Sequence, residues 1–193
     1  VTGIFDDAGV RIGFVTSRAH HAELGGMQPG SMPSTATCLT EEGCVIRPFY
    51  IVRGGVFDRD RITAALQECP WPSRALPDNL ADIEATIAAN QRGVDRVREL
   101  VGDRGGADPG AWFQEMAESI TARASRLARG AIDRLTDGTF QAEGHLDDGH
   151  PLPVAVTIKG DQMHIDFSGA GPVHPWNLNA TEAIVRAAVI YVL

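Results

Sequence analysis

Two long amphipathic segments, set between stretches of strand-forming sequence, constrain this chain more than any other feature. From Asp78 to Val101, apolar residues fall at Leu80, Ile83, Ile87, Val94, Val97, Leu100 and Val101. That three-and-four spacing puts side chains on one face of a helix. A second helical segment opens at Pro109, a residue suited to a first turn, and runs through Met116, Ile120, Leu127 and Ile132 to Leu135. Gly102 and Gly105-Gly106 supply the stop between the two, and Asp137-Gly138 turns the chain after the second.

The flanking segments carry the period of two that marks strands. Residues 1–18 read as a β-hairpin, in which Ile4-Phe5 and Val10 to Val15 flank the turn residues Asp6-Asp7-Ala8-Gly9. Residues 44–57 return to strand character through Val45, Ile46, Phe49, Ile51 and Val52. Gly54-Gly55 breaks that run, and Pro48 marks an edge or a bulge. A short helix from Asp60 to Cys69 ends at Pro70 and Pro72. Thr139 to Leu146, Leu152 to Lys159 and Gln162 to Phe167 then form an antiparallel β-meander, with Val154 to Ile158 β-branched and alternating. A loop from Ser168 to Asn179 leads to a terminal helix, Thr181 to Leu193.

The predicted fold class is therefore α+β, or mixed α/β: β-hairpin elements with two long helices, then the meander and the terminal helix. The 193 residues suffice for one core, read as a single fragment. Within it lie a strand and histidine-loop region (1–57), a helical region (58–136) and the meander plus helix (137–193). Both ends look cut. Val1 to Phe5 is already a strand with no initiator Met, and the apolar terminal helix stops without a capping signal. The chain is predicted to be a piece of a larger protein.

A net charge of −8 argues against nucleic acid as the main partner, since such a surface repels phosphates. Cys38, Cys44 and Cys69 form an odd set without CxxC spacing, so reduced thiols and a cytoplasmic location are expected. No apolar run approaches the ~18 residues of a membrane span. GxGxxG and Walker patterns are absent, so any ATP site is expected on a partner.

Chemistry concentrates in Arg18 to Thr37, a long stretch without apolar periodicity, and loops of that kind are more often functional than not. Two imidazoles and a carboxylate, His20, His21 and Glu23, lie within four residues. Histidine and carboxylate suit a divalent transition ion such as Mn, Fe or Zn. His20 and Glu23 can face one ion if the backbone turns, whereas in a straight strand His21 and Glu23 share a face. Gly25 and Gly26 allow the backbone to approach a ligand closely. Glu42, in Glu41-Glu42-Gly43, offers another carboxylate near this loop. Against this stands the ordinary fate of adjacent loop histidines, which are usually hydrogen-bonded or solvated. His145, His150, His164 and His174 show no ligand spacing and are expected at the surface.

The block RAHHAELGGMQPGSMP, Arg18 to Pro33, resembles the RAHHADIGGxxPGSMP region of the hydantoinase B/oxoprolinase family. That family includes N-methylhydantoinase B subunits, the second half of 5-oxoprolinase and subunits of acetone and acetophenone carboxylases. The likeness continues in order through Glu41-Glu42-Gly43 with Ile46-Arg47-Pro48, Asp78 to Gly93, Leu135 to Phe140, and Asp166-Phe167-Ser168-Gly169 through Asn177-Leu178-Asn179. The resemblance implies an ATP-dependent hydrolase that opens a cyclic amide such as a hydantoin or 5-oxoproline. It also implies a hetero-oligomer with an A-type, actin-like ATPase subunit that phosphorylates the substrate carbonyl. A ketone carboxylase subunit and a non-catalytic assembly module are the rival readings. Carried over by position, His20 and Glu23 would hold the metal, with His21 a third ligand or a residue just behind the ligands. The loop's catalytic candidates are His21 and Glu42, and Gly25, Gly26 and Ser31 are its candidates to meet substrate. The family carries Asp where this chain has Glu23, and its upstream segment resembling NDPxxGGTHLPD has no counterpart here.

Overall fold

The computed structural model describes residues 1–104, 106 and 108–193, without the side chain of Asp103. It is an α+β structure dividing into two compact units, Val1–Gln114 with Pro175–Leu178, and Glu115–His174 with Asn179–Leu193.

The first unit opens with the predicted hairpin, β1 (Thr2–Phe5) antiparallel to β2 (Arg11–Val15). Asp6 closes the turn, its side chain and backbone N–H both bonding Val10, while Gly9 takes the left-handed φ of 79° that the turn requires. After the long loop comes a one-turn helix that the sequence did not announce, α1 (Leu39–Glu42). Strand structure between 44 and 57 reduces to the two-residue pair β3 (Val52–Arg53) and β4 (Val56–Phe57) around Gly54-Gly55. Val45 and Ile46 form no strand. Their apolar side chains are largely exposed, and Pro48, lacking an N–H, interrupts any ladder beyond the single Cys44 N–H to Leu24 carbonyl bond.

Helix α2 (Arg59–Gln67) is capped by the Asp58 carboxylate, which accepts from the Arg61 N–H. Its buried Ile62 and Leu66 pack with Leu80 of α3 (Leu76–Arg104) to form the core, joined by Leu24, Phe49, Ile51 and Phe57. Helix α3 also packs on β1 and β2. Gly102 lies inside α3 rather than ending it, Gly106 sits just past the helix with a left-handed φ of 58°, and Gly105 lies outside the described residues. Helix α4 (Pro109–Ile132) begins in this unit, with the Asp108 carboxylate accepting from the Ala111 N–H.

The second unit holds the rest of α4, the meander and α5 (Glu182–Val192). Strands β5 (Gly138–His145), β6 (Pro151–Lys159) and β7 (Gln162–Asp166) are consecutive and antiparallel. The register sets Phe140 and Ile165 on either side of Val156, and Met163 beside the buried Ile158, which is why the β-branched alternation of β6 was legible. No helix among the described residues is long and apolar enough to cross a membrane.

Candidate functional site

The histidine loop is laid along α3 in the antiparallel sense. As the chain leaves β2, its partners on the helix step back toward the helix N-terminus. Val15 rests against Gly93, where an added Cβ would lie 2.8 Å from a Val15 methyl. Ser17 donates a short hydrogen bond to the Asn90 side-chain oxygen. His21 meets Asn79, and Glu23 meets Arg74 and Ala75 just before the first turn.

Glu23 organises the far end. Its Oε1 accepts from the Ser73 hydroxyl at 2.6 Å, the Ala75 N–H at 3.0 Å and the Asn79 amide at 3.0 Å. Oε2 accepts from the Gly25 N–H at 2.7 Å, and the Arg74 N–H is shared between both oxygens. The Arg74 guanidinium lies 3.9 Å away and donates to the Gly26 carbonyl. A carboxylate set among the free N–H groups at a helix start meets the positive end of the helix dipole. Burial works to raise its pKa, but the Ser73 hydroxyl and the N–H groups of Gly25, Ala75 and Arg74 outweigh that effect and hold it at about 2, against 4.5 ordinarily.

His21 is fixed through the same group. Because the Asn79 amide nitrogen donates to Glu23 and to the Ser73 hydroxyl, its oxygen is the end turned toward His21, 3.2 Å from Nδ1. An amide oxygen only accepts, so Nδ1 is the donor, and in the neutral ring Nε2 is then the nitrogen without a proton. Asp82 lies 3.6 Å from the same Nδ1. The result is a Glu23–Asn79–His21 relay, an imidazole oriented by a buried polar group that is itself oriented by a carboxylate, an arrangement that can prepare a ring for proton transfer or ligation.

The other predicted residues fall into place around this relay. Gly25 and Gly26 are buried with φ of 80° and 89°, and an added Cβ would lie 2.1 Å from the Trp71 carbonyl or 2.5 Å from the Glu42 carbonyl. The space their missing side chains leave is filled by backbone rather than open to substrate, and the Gly26 N–H is committed to Trp71. Ser31 bridges the loop, its hydroxyl accepting from the Leu24 N–H and donating to the Gly25 carbonyl. Ser31 and Met32 hold left-handed φ of 59° and 47°, which for such residues signals a loop conformation enforced by its surroundings. Glu42 contributes its backbone, accepting from the Met32 N–H. Among the described residues, no hydrogen bond joins its carboxylate to His20, His21 or Glu23.

A divalent ion on His20 and Glu23 fits this arrangement poorly. His20 is exposed, both Glu23 oxygens are taken by N–H and O–H donors, and an arginine stands beside them. Among the described residues no three His, Cys, Asp or Glu side chains converge as a ligand set. What sequence reasoning missed is the helix side of the site: Ser73, Asn79 and Asn90 are all buried. Asn90 had a signal, since it occupies the empty place between Ile87 and Val94 in the apolar stripe, where a polar residue must find a partner. The surface assignment of His174 is also corrected. In the second unit it is buried, with Nε2 2.7 Å from Asp148 and the His150 ring edge-on at 5.4 Å. A concavity beside β3 and β4 is lined by Tyr50, Arg53, Phe57 and Arg61, and another over the meander by Gln141, Glu143, Val154 and Asp166. Neither includes His21 or Glu23.

Comparison with known proteins bears on what such a loop serves. Residues 1–193 match the family described as Hydantoinase B/oxoprolinase. The chain is 34% identical to 5-oxoprolinase 1 of Arabidopsis thaliana over 216 residues, covering 100% of this chain and 17% of that protein. It is 31% identical to the 5-oxoprolinase of Saccharomyces cerevisiae, covering 100% of this chain and 16% of the relative. The crystal structure of an ATP-dependent caprolactamase from Pseudomonas jessenii shares the fold, with a TM-score of 0.69 and 23% identity over 86% of this chain and 28% of that one. The chain thus spans less than a fifth of the length of these two 5-oxoprolinases.

Proposed function

The chain belongs to the hydantoinase B/oxoprolinase family, and on that premise we propose that it forms part of an ATP-dependent hydrolase that opens a cyclic amide. The observation that carries this reading is the Glu23–Asn79–His21 chain of hydrogen bonds, which makes Nδ1 of His21 the donor and so, in the neutral ring, Nε2 the basic nitrogen. The names of the relatives, two 5-oxoprolinases, support a lactam ahead of a hydantoin as substrate.

An amide carbonyl is a weak electrophile, and water is a weak nucleophile at neutral pH. ATP on an A-type, actin-like ATPase subunit supplies the first need by phosphoryl transfer to the ring carbonyl oxygen. His21 meets the second. Its Nε2 takes a proton as water attacks the carbonyl carbon, and the imidazolium so formed is steadied at Nδ1 by the Asn79 oxygen and, 3.6 Å away, by Asp82. The same proton then passes to the ring nitrogen as the C–N bond breaks, which leaves an acyl phosphate that a second water hydrolyses to the ring-opened acid and inorganic phosphate. Glu23 acts through Asn79 and by seating the loop on α3, so it is a positioning residue.

The test is reconstitution of the complete B-type polypeptide with its A-type ATPase, ATP and 5-oxoproline, a hydantoin or caprolactam, each with and without bicarbonate. Ring-opened amino acid formed in step with ADP and independent of bicarbonate is the expected result. A carboxylated product would transfer the chain to the ketone carboxylases. A tight complex without turnover of any substrate would make it an assembly module.

A further inference from the structure

Cys44 and Cys69 are distant in sequence, yet their sulfurs lie 2.7 Å apart as free thiols, inside ordinary sulfur–sulfur contact and short of a covalent bond. Two different elements bring them together. Cys44 follows α1, and its N–H bonds the Leu24 carbonyl of the histidine loop. Cys69 lies just beyond α2 and faces the Trp71 carbonyl at 3.4 Å. Both thiols also point at the Leu66 carbonyl. This pair stands directly behind the loop, where a Cβ on Gly25 would lie 3.0 Å from the Cys44 sulfur and the Gly26 N–H bonds Trp71. The hydrolytic chemistry uses neither sulfur.

We infer that Cys44 and Cys69 form a reversible disulfide under hydroperoxide, a redox latch that ties the segment after α1 to the end of α2 behind the histidine loop. Cys69 is the sulfur that meets the oxidant. Its thiolate attacks one peroxide oxygen, the O–O bond breaks, and the departing hydroxide takes up a proton as water, leaving Cys69 as a sulfenic acid. The Cys44 sulfur then attacks the Cys69 sulfur, the S–O bond breaks, and the hydroxide leaves with the Cys44 proton as a second water. Two thiols and one hydrogen peroxide give one disulfide and two waters. Burial and the neighbouring Cys69 push the Cys44 thiol up to about 12. Raised in this way, Cys44 is the less reactive of the two toward peroxide. Cys38, exposed and bonded only locally to Thr40, serves as the internal control.

The experiment treats the chain with a small excess of hydrogen peroxide, followed by alkylation and peptide mass mapping, beside Cys69→Ser and Cys38→Ser variants. The expected result is a loss of 2 Da on the intact wild-type chain, a Cys44–Cys69 cross-linked peptide, Cys38 still alkylated, and reversal by dithiothreitol. Cys38→Ser should behave like wild type and Cys69→Ser should form no cross-link, with Cys44 unmodified. Sulfinic acid at either residue without cross-link, or a disulfide that includes Cys38, would overturn the inference. Because the mapping is done on the wild-type chain, misfolding of a variant cannot mimic either result.

Discussion

Glu23 carries its charge at the start of a long helix, and that placement makes it a stability determinant as well as part of the site. Glu23→Gln keeps the shape but offers one carbonyl oxygen to donors that now fill two, and turns an NH2 toward the rest. The loss should be about 2–4 kcal/mol, read as a lower urea midpoint. The acid behaviour follows from the pKa of about 2 in the folded state against 4.5 ordinarily. The unfolded chain takes up the proton at higher pH, so acid favours unfolding. The contribution is complete above about pH 4.5 and is lost as pH falls toward about 2. Urea midpoints measured down this range should fall more steeply for wild type than for Glu23→Gln, and parallel curves would contradict the assignment. Asn79→Ala removes the group that selects the His21 tautomer. Ring opening in the reconstituted complex should drop by about 10–100-fold in kcat with KM little changed. A pure rise in KM would mean that Asn79 holds substrate instead.

Among the elements, α3 decides where the site can be. Gly93 lets β2 approach it, so Gly93→Ala sets a helix gain of about 1 kcal/mol against overpacking of about 1–3 kcal/mol with Val15, and thermal unfolding should move to lower temperature. Gly102, in the same helix with nothing within 4 Å of an added Cβ, should respond in the opposite sense, with Gly102→Ala stabilising by up to about 1 kcal/mol. The helix itself was legible because its buried face repeats at Leu80, Ile83, Ile87, Val94, Val97 and Val101, a local pattern. So were the first hairpin and the meander, whose turns and alternation lie close in sequence. The segment around Val45 and Ile46 misled because a strand exists only with a partner, and β-branched residues do not say whether one is present. The site was half legible for the same reason. His21 and Glu23 stood out as polar residues in a glycine-flanked loop, but Ser73 and Asn79 lie fifty or more positions away, and only folding shows that the two segments meet.

At the scale of the whole molecule, the chain supplies an imidazole positioned on a loop seated along α3, and its sequence carries no GxGxxG or Walker pattern. Helix α4 carries an exposed apolar stripe. Met116, Ile120 and Leu127 are exposed along it, although their spacing is that of a buried face. We propose that His21, held by Asn79 and Glu23, moves the proton in ATP-dependent ring opening. The most direct measurement is kcat/KM for lactam hydrolysis by the reconstituted complex carrying His21→Ala, with circular dichroism and Tm recorded beside wild type. A fall of about 10²–10⁴-fold in a variant that folds and assembles normally is the predicted result. A folded, assembled His21→Ala complex that opens the ring at the wild-type rate would contradict it.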